Sequence, residues 1–327
     1  MNAQNKSIGE GETIGIVGES GAGKSQSMMA VMGLLEENGH ARGKVEFKGR
    51  DLLQMSAKEL NGFRGKNIAM IFQDPMTSLN PYLTIEKQMT EVVMHHKGLK
   101  KEEARSHAIE MLHAVRIPDP EERIRQYPHE YSGGMRQRVM IAMGLLCEPD
   151  LLIADEPSTA LDVTVQTQIT RLVGEVSDKT NMSLILITHD LAVVAEICER
   201  IIMMYAGEVV ETGTAEEIFY SPQHPYTQGL LASVPRMDRV NEELHVIPGN
   251  PPNLQELPQG CRFRDRCEMA SEACLEPPPL WVSDTGRSSR CVLPMEGGRI
   301  RKEESVGEDK AEAVEGTGSD GPEGVGS

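Results

Sequence analysis

Gly18-Glu-Ser-Gly-Ala-Gly-Lys-Ser25 decides how this chain is read. It fits G-x-x-x-x-G-K-[ST]. The glycines let the backbone curl so that its N–H groups converge on phosphate oxygens. Lys24 can reach the β- and γ-phosphates, and the Ser25 hydroxyl can ligate Mg²⁺. The context matches on both sides. The apolar run Thr13–Val17 predicts a strand before the loop, and Lys24–Leu35 predicts a helix after it, whose N-terminal dipole adds to anion binding. The bland alternative is a Gly-rich turn that holds no ligand.

Further out, apolar runs predict strands at Lys44–Phe47, Asn67–Phe72, Leu151–Ala154, Ser183–Thr188 and Ile201–Tyr205. Helices are expected at Lys101–Val115, Ser132–Cys147, Val163–Val176 and Leu191–Ile197. Alternating strands and helices imply an α/β fold with a parallel sheet covered on both faces. The stretch from about 83 to 147 shows no convincing strand and reads as a helical insertion. Leu151-Leu-Ile-Ala-Asp155-Glu156 is an apolar strand ending in two acids, which places carboxylates at the ligand crevice. Asp155 is expected to hold Mg²⁺ and Glu156 to polarise the attacking water. By itself the pair also fits a solvated acidic turn. His189 and Gln73 each follow an apolar strand. His189 is a candidate contact to a γ-phosphate, and Gln73 a candidate Mg²⁺ ligand or water-placing group; alone, either is as readily structural. Ser132, Gly133 and Gly134 stand before a strong helix, either as an ordinary cap or as a second anion site.

Composition sets the outer bounds. The 327 residues carry 33 basic and 50 acidic side chains, a net charge of −17, which argues against a phosphate-backbone binder. Aromatics are only 4%, which disfavours an all-β fold. The longest apolar stretch, Val139–Cys147, is far short of the ~20 residues a membrane-spanning helix needs. The start has no apolar signal-peptide core, so a cytoplasmic setting with reduced thiols is expected. After about residue 234 the composition shifts. Residues 235–295 hold many of the prolines and four of the six cysteines, and read as a small irregular appendage. Residues 296–327, with nine acids, four bases and eight glycines, read as a disordered acidic tail.

Together these motifs resemble the nucleotide-binding subunit of an ABC transporter. The order is that of the family: P-loop at 18–25, Q-loop glutamine Gln73, signature at Ser132–Met135, Walker B at 151–156, D-loop Thr159–Asp162 and switch histidine His189. Tyr131-Ser-Gly-Gly-Met-Arg-Gln-Arg-Val-Met-Ile-Ala142 is similar to the signature of the oligopeptide and dipeptide importers, and His224-Pro-Tyr-Thr227 and Ile247-Pro-Gly-Asn-Pro-Pro252 resemble their C-terminal extension. The likeness is to the D-type ATPase subunit of bacterial peptide permeases, with nickel and glutathione importers in the same group. It implies a P-loop ATPase domain at 1–234 (a RecA-like core plus a helical subdomain at about 83–147) and a Cys-rich extension at 235–295.

The resemblance also implies the site and its partners. Gly18, Glu19, Ser20, Gly21, Ala22, Gly23, Lys24, Ser25 and Gln26 would bind ATP. Ser25, Gln73 and Asp155 would serve Mg²⁺, with Glu156, His189 and Gln73 catalytic. Ser132–Gly134 would close on the ATP of a second ATPase subunit, a paralogue or a second copy, and Asp162 would report across that interface. Two transmembrane permease subunits and an external substrate-binding protein complete the expected assembly, at the cytoplasmic face of the membrane, with no nucleic acid. Cys261-x5-Cys267-x6-Cys274-x16-Cys291 is similar to the set on which such subunits carry a [4Fe–4S] cluster; zinc and unmetallated thiols are the rivals. Cys147 and Cys198 read as core residues. One departure stands out: 17 residues precede Gly18, none aromatic, where the family has further strands and an adenine-stacking aromatic. Weak ATP affinity and a truncated or inactive subunit are the corresponding expectation. The other rivals are a soluble ABC ATPase acting on DNA or ribosomes and a non-enzymatic remnant that binds partners through the appendage.

Overall fold

The computed structural model describes residues 7–73, 78–157, 163–233, 246–295 and 297–301. A nine-stranded sheet runs in the order β11-β9-β10-β8-β7-β1-β6-β5-β4. Its five parallel members are β1 (Thr13–Val17), β4 (Ile68–Ile71), β5 (Leu151–Asp155), β6 (Ser183–Ile187) and β7 (Arg200–Tyr205). β8 (Glu208–Thr214) turns back antiparallel on β7. A separate hairpin pairs β2 (Glu46–Phe47) with β3 (Arg50–Asp51).

Strand alternation divides the interior. Ile16, Ile153, Ile185 and Ile187 face one layer, with Met32, Leu52 and Leu60 beneath the P-loop helix Lys24–Val31. Val17, Ala154, Leu184 and Leu186 face the larger layer, filled by Met89 and Val93 of helix Ile85–Lys97, Leu112 of helix Lys101–Ala114, and Val139, Ile141 and Leu145 of helix Gly133–Leu145. Between β4 and β5 the described residues form helices and no strand; the first of the long helices, Ile85–Lys97, begins on a Thr84 cap and ends at Gly98 in the left-handed conformation. The expected strands are present in the main sheet except that at Lys44–Phe47, which is reduced to Glu46–Phe47 in the separate hairpin. The P-loop helix is shorter than expected, stopping at Val31.

The appendage departs from expectation. It is not wholly irregular: β10 (Ser288–Arg290) pairs antiparallel with β8, β9 (Leu280–Val282) with β10, and β11 (Arg299–Arg301) with β9. The strand at 299–301 lies inside the stretch expected to be a disordered tail; residues 302–327 fall outside the described residues. A buried Thr212–Ser288 hydroxyl pair at 2.8 Å fastens the seam. Among the described residues, no helix is long and apolar enough to cross a membrane.

Candidate nucleotide site

Register brings the functional residues to one edge. Ile16 sits opposite Ile187, Asp155 opposite Ile187, and Ile71 opposite Ala154. The loop after β1, the acids ending β5, His189 beyond β6 and Gln73 beyond β4 therefore all leave the carboxyl edge of adjacent parallel strands, where open α/β sheets bind ligands.

The loop's glycines have distinct causes. A Cβ on Gly18 would lie 2.1 Å from the Met204 carbonyl oxygen, so the loop passes where only glycine fits. Gly21 (φ 77°) and Gly23 (φ 89°) take left-handed conformations that curl the chain into the helix. The Gly207 N–H donates to the Ala22 carbonyl at 2.9 Å, tying the loop to the β7–β8 turn. Glu19 and Gly23 are partly covered, whereas Ser20, Gly21 and Gln26 are exposed at the mouth of the site.

Lys24 is buried, and its Nζ donates to the carbonyls of Gly18 (2.7 Å) and Glu19 (3.1 Å), the loop's own backbone. Desolvation lowers its pKa, against the opposing pull of Glu156, Asp155 and Glu19. Ser25 Oγ donates to Asp155 Oδ1 at 2.8 Å. Burial raises the Asp155 pKa, partly countered by that hydrogen bond, and a cation beside the pair would reverse the effect. Glu156 adopts φ 43° and its N–H donates to the Ile187 carbonyl. Its carboxylate accepts from Gln73 Nε2 at 3.0 Å and lies 3.7 Å from His189 Nδ1. Gln73 thus meets Glu156 here, rather than the Ser25–Asp155 pair with which it was grouped as a Mg²⁺ ligand.

Ser132, Gly133 and Gly134 belong to another element. Ser132 caps helix Gly133–Leu145, accepting from the Met135 N–H at 3.3 Å, and Ser132 and Gly133 are exposed. Asp162 lies outside the described residues.

The cysteines divide as expected in part. Cys147 and Cys198 are buried, the thiol of Cys198 pushed up to about 12 by desolvation. Cys261, Cys267, Cys274 and Cys291 line a single pocket with His224, Phe263 and Met269. However, among the described residues no group of three or more His, Cys, Asp or Glu side chains is placed to hold a metal ion. The four thiols converge without forming a ready single-ion site, and the iron–sulfur expectation gains no ligand geometry.

Sequence reasoning missed two side chains that brace this site, Arg266 from the appendage and Tyr226 from helix Pro225–Ala232. Arg266 reaches Glu19 of the P-loop at 2.7 and 3.1 Å, and the Glu19 N–H donates to the Tyr226 hydroxyl at 3.0 Å. Tyr226 lies in the His224–Thr227 motif that the sequence flagged only as a subgroup marker. Arg266 carried no local signal.

Comparisons agree with this geometry. The ABC transporter family profile matches residues 1–159, and that of the oligopeptide/dipeptide transporter C-terminal region matches residues 210–274. The chain is 54% identical over 296 residues to the oligopeptide transport ATP-binding protein OppD of Salmonella typhimurium, covering 90% of this chain and 88% of that one. It is 54% identical over 267 residues to the dipeptide transport ATP-binding protein DppD of Bacillus subtilis, covering 81% and 80%. Among solved structures, the dimeric ATP-binding cassette MJ0796 bound to ADP and Pi superposes with a TM-score of 0.58 at 29% identity, covering 64% of this chain and 88% of that one. CbiO1 of Clostridium perfringens gives 0.59 at 26%, covering 73% and 90%. With the phosphate loop, paired acids and both profiles in one chain, this protein belongs to the ABC transporter ATP-binding subunits, in the oligopeptide/dipeptide group.

Proposed function

We propose that this chain binds and hydrolyses ATP to power import of oligopeptides or dipeptides through a membrane ABC transporter. The observation that carries the reading is the convergence of Lys24, the Ser25–Asp155 pair and Glu156 on one sheet edge. In this reading Lys24 leaves the Gly18 and Glu19 carbonyls for the β- and γ-phosphates. Ser25 and Asp155 hold Mg²⁺. Glu156 orients the attacking water, and Gln73 and His189, both beside its carboxylate, adjust it. The start of helix Gly133–Leu145, where Ser132 and Gly133 are exposed, suits closure over the ATP of a second ATPase subunit, with Asp162 assigned by the resemblance to the same interface. Two transmembrane permease subunits and an external binding protein complete the assembly, and the chain sits peripherally on the cytoplasmic membrane face. Peptide is preferred over nickel or glutathione because OppD of Salmonella typhimurium and DppD of Bacillus subtilis, each matched over most of this chain, are named for peptide transport.

For Cys261, Cys267, Cys274 and Cys291, which line one pocket, a [4Fe–4S] cluster is preferred over zinc on the resemblance of their spacing alone. Anaerobically purified chain is expected to contain about four irons; zinc in their place would overturn this assignment.

The test of function is ATP hydrolysis by the chain with its partner subunits, wild type beside Glu156→Gln. Loss of about a hundredfold or more in turnover is expected on removing the water-orienting carboxylate. Equal rates would defeat the enzymatic reading.

A further inference from the structure

The phosphate loop is glycine-rich, so something must hold it still. Part of that support comes from far along the chain. Arg266 is buried, and both of its terminal nitrogens donate to the carboxylate of Glu19, the second residue of the loop. Its fork is fixed from behind: Nε donates to the Pro248 carbonyl at 2.9 Å, one terminal nitrogen to the Tyr205 hydroxyl at 3.2 Å, and the guanidinium stacks over the Tyr205 ring. Tyr226 takes the Glu19 backbone N–H. Both anchors therefore act on a residue whose carbonyl, with that of Gly18, seats the Lys24 amine.

Three other arginines dock the appendage without touching the loop. Arg287 pairs with Glu211 at 3.1 Å, and Arg262 and Arg290 approach Glu208 at 3.7 and 3.4 Å. They supply an internal control.

We propose that Arg266 is a positioning residue for the ATP site: acting through Glu19, the appendage sets the first turn of the P-loop and with it the seat of Lys24. A bidentate guanidinium–carboxylate pair fixes both distance and orientation, which a lysine ammonium does not. Held in advance, the loop need not surrender that freedom when nucleotide binds. The inference rests on the ATPase reading, which wild-type turnover in the same assays checks separately.

The experiment compares full-length wild type, Arg266→Ala, Arg266→Lys, Glu19→Ala, the Glu19→Ala/Arg266→Ala double variant and Arg287→Ala. Affinity for a fluorescent ATP analogue and melting temperature are measured for each chain, and kcat and KM for each with its partner subunits. Arg266→Ala and Glu19→Ala should each weaken nucleotide binding about tenfold, and the double variant should be no weaker than either single. KM should rise more than kcat falls, Arg266→Lys should recover only part of the loss, and Arg287→Ala should lower the melting temperature with affinity within about twofold of wild type. Unchanged affinity in Arg266→Ala would overturn the proposal. So would additive losses in the double variant, or an equal loss in Arg287→Ala. If Arg266→Ala does not fold, Arg266→Lys and Glu19→Ala decide the question by the same criteria.

Discussion

Glu156 stands in a left-handed backbone conformation that a residue with a side chain adopts at some cost. The turn aims its carboxylate at Gln73 and His189 instead of into the core behind Asp155. Gly18 is a complementary case, since any side chain there meets backbone. Gly18→Ala should destabilise the fold by about 1–3 kcal/mol or more, read as a lower melting temperature together with loss of nucleotide binding. Unchanged values would mean that Met204 yields easily. Cys198 offers a simpler check. With its thiol pushed up to about 12 and the side chain buried, it should resist alkylation near neutral pH in the native protein and react only after denaturation; peptide mass spectrometry resolves this site by site. Lys24, Ser25, Asp155 and Glu156 were readable because each sits in a short contiguous motif beside a strand. Arg266 was not, because its meaning depends on a residue 247 positions away.

At the level of elements, the parallel strands were legible as apolar runs and their ends as ligand-facing. β8 was not, because its sequence places Glu211 in the middle of a strand, where a charge normally argues against burial. The structure shows why the acid is tolerated. Glu211 is fully buried and accepts from the Gln223 N–H (2.8 Å), the His224 N–H (2.9 Å) and Arg287. Glu211→Ala would leave both amides without their acceptor and Arg287 with only the Glu217 and Ser221 carbonyls and no counter-charge, at a cost of about 3–5 kcal/mol. Chemical denaturation of that variant should show a matching loss of stability; a loss below about 1 kcal/mol would mean that water replaces the carboxylate. β9, β10 and β11 were invisible for a different reason. Each is only three residues long; β10 (Ser-Ser-Arg) and β11 (Arg-Ile-Arg) are polar, so pairing with a neighbour makes them strands, while β9 (Leu-Trp-Val) has strand-forming residues but is too short to stand out among the surrounding prolines.

On the scale of the whole molecule, charge takes on a different meaning. The chain is acidic overall, yet its appendage presents Arg262, Arg266, Arg287 and Arg290 to Glu19, Glu208 and Glu211 on the ATPase core. Opposite charges meet at the seam and the surplus acid lies elsewhere. Together with the β8–β10 pairing, this joins the two parts into one sheet. A single cooperative thermal transition is expected from this continuity. Differential scanning calorimetry tests it, since two resolved peaks would mean that the parts melt independently. The contacts across this seam are then expected to hold the appendage without the covalent link between Ser233 and Val246. Cut there at an introduced protease site, the chain should remain a two-fragment complex through gel filtration, and the fragments should reassemble when mixed after separate purification. A covalent tether becomes a matter of assembly speed, and attachment becomes a matter of surface complementarity.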